Sequence, residues 1–277
     1  MSTVIVVTNF SASSRNALEY TCAFLHNAQT KLLLLNIFSF PSTINNDGIA
    51  IAALAETFSN DERKLEQELT WVQDHYPTIH VESEMATGVF LEELQNKIRE
   101  EKAVLVIMGT AGNYTDLLSW DANIINSFVD LLTPVLIVPA QVRFEPLQKI
   151  AFACNYYRTN LQVPVSMLRR LIQFTKAALF VINVVSPQEP ITEEGIQNKR
   201  VLKESLADLS PVYYEPEFNN VIAAIDNFVA EEAIDMLLVI PSRHGIWYNI
   251  FQRSHTKGLV FLNHIPILSL RQEENFL

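Results

Sequence analysis

The sequence predicts an α/β protein of two Rossmann-like doubly wound domains, residues 1–144 and 145–277, each built on a five-stranded parallel sheet. Three observations carry this. The strand-like runs are continuous Val, Ile and Leu rather than alternating, as expected for strands buried on both faces. Helical stretches separate them in strict alternation, which builds a parallel sheet through right-handed crossovers. The whole pattern occurs twice.

The elements follow in order. Val4 to Val7 opens the chain as a strand and is followed by Thr8-Asn9-Phe10. Ser11-Ala12-Ser13-Ser14 then offers N-caps to a helix carrying Ala17, Leu18, Phe24 and Leu25. Leu32 to Ile37 is the second strand. Leu54 to Tyr76 is the longest helical pattern, and Phe90 to Glu101 a further helix. Ala103 to Gly109 is a strand, and Pro134-Val135-Leu136-Ile137 opens the last, where proline suits a strand start. The second copy begins at Ile150-Ala151-Phe152-Ala153-Cys154-Asn155-Tyr156, which repeats strand, small residue, Asn, aromatic. Leu179 to Val184 matches the second strand, and a shorter segment, Pro187 to Leu209, follows it. Ile222 to Ala233 is helical, Asp235 to Pro241 faces Ala103 to Gly109, and Pro266 to Ser269 faces Pro134 to Ile137. A short polar hinge, Gln141 to Lys149, joins the copies.

Composition narrows the function. The chain has 277 residues, 49 % of them hydrophobic, enough for two cores. No apolar run approaches the roughly 18–20 residues of a membrane span, so no membrane association is expected. The N-terminus enters an apolar run directly, without the basic segment and cleavage site of a signal peptide. Two cysteines, Cys22 and Cys154, cannot form a disulfide framework and suit a reducing, cytoplasmic setting. The net charge is −11, which argues against nucleic acid as a partner. The charge is uneven: residues 1–144 hold 8 basic and 17 acidic side chains, residues 145–277 hold 12 and 14. The acidic stretch Asp61 to Glu68 reads as an exposed helix face with ion pairs to Arg63 and Lys64.

In a doubly wound sheet, ligands lie beyond the carboxyl ends of the strands, at the switch point. Those ends are Thr8-Asn9-Phe10-Ser11 and Gly109-Thr110-Ala111-Gly112 in the first copy. In the second they are Cys154-Asn155-Tyr156-Tyr157 and Pro241-Ser242-Arg243-His244-Gly245. The segment Val106 to Gly112, a helix, then Pro134 to Pro139, resembles the C-terminal half of a universal stress protein domain. Val4 to Ser11 with Ala17-Leu18-Glu19-Tyr20 resembles that family's first strand and helix. The resemblance spans nearly the whole chain as a tandem pair. It implies strand order 3-2-1-4-5 in each copy and an intrachain pseudo-dimer through Val135–Val138 and Ile267–Leu270. It leaves a further homodimer of chains open.

The resemblance also implies a nucleotide motif. ATP-binding members carry Gly-x-x-Gly, nine residues, then Gly-Ser/Thr, with an Asp ending the first strand. Here Gly109 and Gly112 remain, Ala122-Asn123 replaces the later pair, and Asn9 replaces the Asp. In the second copy Pro241 and His244 stand at the glycine positions, Ser254-His255 at the later pair and Asn155 at the Asp position. Pro241 has no N–H to offer a phosphate. Between Gly109 and Ala140 there is no Lys or Arg, and Asp116, Asp121 and Asp130 are acidic. The site Asn9, Gly109, Gly112, Ala122, Asn123 therefore reads as a degenerate nucleotide site.

From Pro241 to Pro266 the charge inverts. Arg243, Arg253 and Lys257 stand with no acidic residue, and Ser254 is a helix N-cap candidate, so a small anion or an acidic partner group is expected at Ser254 to Lys257. The competing reading is a solvated basic loop. Six histidines show no metal-ligand spacing, so no metal site is expected. No nucleophile elbow or Walker loop occurs. Cys154 reads as a small buried residue rather than a reactive thiol. Trp120, Trp247, Tyr248 and Phe251, near the strand-end loops, either stack on a base or anchor a partner, or else pack the two copies together. Three readings of function follow. The first is a non-enzymatic stress-response protein binding a small ligand or protein partner. The second is an adenine-nucleotide switch holding ATP in the first copy only. The third is a weak ATP hydrolase, for which Asp116 and Asp121 are the nearest carboxylates.

Overall fold

The computed structural model describes residues 2–26, 28–39, 48–111, 120–155, 164–183, 192–216, 221–241 and 264–271. The chain divides into two compact units, Met1–Phe144 and Glu145–Leu277.

In the first unit the strands are β1 (Ser2–Val7), β2 (Thr30–Phe38), β3 (His80–Thr87), β4 (Ala103–Thr110) and β5 (Val135–Pro139). The helices are α1 (Ala12–Leu25), α2 (Gly48–His75), α3 (Phe90–Glu101) and α4 (Trp120–Asp130). All pairings are parallel, in the order β3-β2-β1-β4-β5. Ile5, Val6 and Val7 are wholly buried, as their continuous apolar run requires of a central strand. Successive strands are added on one side of β1 up to β3 and on its other side from β4, so the switch point lies beyond Thr8 and Thr110. The carbonyl of Pro134 accepts from Val106 N at 3.0 Å and sets the register of β5. Helix α2 begins at Gly48, six residues before the start read from periodicity. The early turns are mostly exposed, so no core face marks them.

The second unit holds β6 (Lys149–Cys154), β7 (Ala178–Asn183), β8 (Val212–Tyr214), β9 (Met236–Val239) and β10 (Ile267–Ser269). Its helices are α5 (Val165–Thr175), α6 (Glu193–Ser205) and α7 (Val221–Glu231). Its parallel pairings run β8-β7-β6-β9-β10. Thr192 caps α6 by accepting from Gly195 N at 3.0 Å. Phe228 of α7 stacks on Tyr214 at 4.8 Å and meets Phe180 of β7 at 6.0 Å, which seats the helix on the sheet.

The hinge is anchored at each end to its own unit. Asn16, buried on α1, donates to the carbonyls of Pro139 (2.9 Å) and Val142 (2.8 Å) and accepts from Arg143. Phe144 meets Tyr20 edge-on at 5.3 Å. On the other side, Asp235 Oδ2 accepts from the backbone N–H of Gln148 (2.7 Å) and Lys149 (2.8 Å) at the start of β6.

Candidate functional site

The switch point of the first unit is built around the turn from β1 into α1. Thr8 is buried, and its hydroxyl donates to Ser14 Oγ at 3.2 Å while accepting from Phe10 N at 3.0 Å. Phe10 takes a left-handed backbone, φ 62°, uncommon for a bulky residue. Asn9 stabilises this turn from the other side. Its Oδ1 accepts from Ser11 N at 3.2 Å and from Ser11 Oγ at 2.6 Å. Ser11 in turn caps α1, accepting from Ser14 N at 3.2 Å. The Asn standing at the family's Asp position is thus bound into an Asx turn that starts a helix.

Gly109 has an equally internal role. A Cβ at this position would fall far inside the van der Waals radius of the Ser13 carbonyl and 2.8 Å from Ser14 N. The first turn of α1 therefore rests directly on β4, and glycine is what allows the approach. On its other side the Gly109 carbonyl accepts from Trp120 Nε1 at 2.8 Å, and Trp120 meets Phe90 edge-on at 5.8 Å. Trp120 is a packing aromatic, joining α4, β4 and α3.

Ala122 and Asn123 lie in the first turn of α4 as described, both half-buried. Gly112 and Asp116 fall outside the described residues, as does the side chain of Asp121. The proposed anion site of the second copy, Arg243, Arg253, Ser254 and Lys257, also lies outside them, with His244, Trp247, Tyr248 and Phe251.

Three side chains that the sequence reading did not assign to this site complete the corner. Lys64 Nζ lies 5.3 Å from the Phe10 ring centroid, so α2 brings positive charge to the end of β1. Asn36 of β2 is buried, and its Nδ2 donates to the Thr8 carbonyl at 2.8 Å. Glu68 is also buried, which corrects the reading of 61–68 as an exposed acidic face. The ion pair Lys64–Asp61 at 2.9 Å is present, but Glu68 turns inward beside Thr8 and Arg15. Burial pushes its carboxyl above the ordinary range, against smaller pulls from the Thr8 hydroxyl and the Arg15 guanidinium. The signal was in the spacing, since Leu65, Glu68 and Val72 share one helical stripe.

Cys22 is buried, whereas Cys154, expected from the sequence to be buried, is half-buried at the end of β6. Burial pushes Cys22 up to about 12, and burial with the nearby Glu215 carboxylate raises Cys154 well above the ordinary thiol value.

No family model matches the chain, and no curated protein matches it in sequence. Solved structures do match in fold. A universal stress protein from Archaeoglobus fulgidus aligns over 98 % of this chain and 96 % of its own, with TM-score 0.69 and 14 % identity. The chain has the universal stress protein fold. A putative universal stress protein from Pseudomonas aeruginosa UCBPP-PA14 aligns over 97 % and 92 %, with TM-score 0.52 and 13 % identity. A functionally unknown protein from Pseudomonas aeruginosa PAO1 aligns over 98 % and 92 %, with TM-score 0.53 and 12 % identity. Among the described residues no helix is long and apolar enough to cross a membrane. Within this fold, the described residues at the nucleotide-motif positions are engaged in local structure. Asn9 Oδ1 is occupied by Ser11, and the space beside Gly109 is filled by the α1 backbone.

Proposed function

We propose that this chain is a non-enzymatic, cytoplasmic stress-response protein that binds a small ligand or protein partner, its nucleotide motif converted to structural use. The packing of Ser13 against Gly109 carries the reading, together with the capture of Asn9 by Ser11. A glycine kept for helix packing explains its own retention without a phosphate. An acceptor already holding two donors has little left to orient a base.

The test is calorimetric titration of the full chain with ATP, with and without Mg²⁺. The expected result is no binding heat up to millimolar nucleotide. Saturable heat with a submillimolar Kd would overturn the reading. It would establish the second one, an adenine-nucleotide switch in the first unit, which the approach of Lys64 to Phe10 favours. Phosphate release from ATP under the same conditions would instead support a hydrolase.

A further inference from the structure

Helix α2 has 28 residues. Among its described side chains only Leu65, Glu68 and Val72 are buried. Their spacing places them on one stripe, the stripe by which α2 is seated in its unit. Such a stripe is ordinarily apolar throughout. Here its centre is a carboxyl, 7 % exposed, whose Oε2 has no hydrogen-bond partner.

The surroundings do not supply what a carboxylate needs. β1 contributes the Thr8 hydroxyl, which carries a single proton and lies 3.2 Å from Ser14 Oγ. β2 contributes Asn36, 6 % exposed, whose Nδ2 is bonded to the Thr8 carbonyl and whose Oδ1 also has no partner. Glu68 Oε2 and Asn36 Oδ1 are thus two buried acceptors without a hydrogen-bond partner, and the Thr8 hydroxyl gives Glu68 only a small pull. Among the described residues, the cation acting on Glu68 is Arg15 of α1. That guanidinium is itself engaged, with Nε 3.1 Å from Glu19 and its carbon 3.8 Å from the Trp71 ring centroid. On α2 itself, Lys64 lies toward Phe10 and His75 stacks on Trp71. An ionised Glu68 here is desolvated and poorly compensated. A neutral carboxylic acid carries no charge to desolvate and has an O–H of its own to donate.

We propose that Glu68 is a proton-operated latch: as the neutral acid it holds α2 against the β1–α1 corner, and on ionising it loosens the helix. The direction follows from linkage. The buried group keeps its proton more tightly than it does in solvent, so seating is full at low pH. Seating is lost as pH rises through the raised value. The corner it controls is the strand-end site, so any ligand that requires α2 seated would bind with proton uptake. The inference does not depend on what that ligand is.

The test is hydrogen exchange of the α2 amides in the full chain between pH 5 and 9, corrected for intrinsic rates. Beside it goes a ¹³C titration of the glutamate side-chain carboxyls. Opening of α2 should rise by up to about tenfold per pH unit as pH climbs from the ordinary carboxyl range toward the raised Glu68 midpoint, and level off above that midpoint. The profile should be flat in Glu68→Gln and unchanged in His75→Gln, while α7 of the second unit shows no such dependence. The same pH profile in wild type and Glu68→Gln overturns the latch, as does loss of the transition in His75→Gln. A Glu68 carboxyl titrating in the ordinary range in the wild-type chain also overturns it, and decides the matter even if Glu68→Gln does not fold.

Discussion

The carbonyl of Ser13 occupies the place where any side chain at position 109 would begin. Glycine 109 is therefore a packing requirement of α1 on β4. Gly109→Ala forces helix and strand apart, and the expected loss is about 1–3 kcal/mol or more. Urea unfolding of the variant beside wild type measures it. Unchanged stability would mean that the helix shifts freely and that the glycine must be retained for another reason. Because of this clash, loss of binding in a Gly109 variant would report on folding rather than on ligand contact.

Ser11 both caps α1 and bonds Asn9. Ser11→Ala should lower stability by about 1 kcal/mol through the lost cap. Asn9→Asp keeps the acceptor that the turn uses and places a carboxylate just before a helix N-terminus, which the helix dipole favours. It should be at least as stable as wild type. Thermal melts of the two variants check the pair. The reverse ranking would show that the turn is held by something other than this oxygen.

In the second unit, one Asp235 oxygen satisfies two backbone N–H groups where β6 begins. Asp235→Ala leaves both donors without that partner. Charge-assisted bonds of this kind contribute about 1.5–3 kcal/mol, less where solvent reaches them, as at the exposed Gln148 bond. A loss of about 1–3 kcal/mol is expected, with β6 amides exchanging faster than those of β1. Equal exchange in the two strands would show that the clamp does not set the stability of its own unit.

The two thiols should resist modification in the native protein. With Cys22 pushed up to about 12 and Cys154 raised as well, little thiolate exists at pH 8. A thiol-reactive disulfide reagent should label neither on the timescale on which it labels both in denaturant. Rapid labelling of Cys154 in the folded chain would restore it as a reactive group at the end of β6.

Local pattern was enough for much of the fold. The run Val4 to Val7 and its counterpart Ile150 to Ala153 became central strands because unbroken apolar side chains have no stable place but between two covered faces. Phe90 to Glu101 came out as helix α3 with those bounds, its periodicity and terminal charges agreeing. Ser11 was legible as a cap because capping depends only on residues three apart. Helix α2 was less legible at its start, where exposed turns carry no core face.

What a residue meets across the sheet was not in the sequence. Gly109 read as half of a phosphate motif until Ser13, nearly a hundred residues earlier, was seen against it. Trp120 read either as a ligand-stacking or as a packing aromatic until its N–H was seen on the Gly109 carbonyl. Glu68 read as surface charge until α2 turned it toward Thr8 and Arg15. Periodicity and capping are properties of neighbours along the chain, and the sequence by itself determined them. Desolvation, close approach and the occupation of a hydrogen-bond acceptor belong to groups distant in sequence. Only the tertiary structure decided those, because only folding brings such groups within a few ångströms.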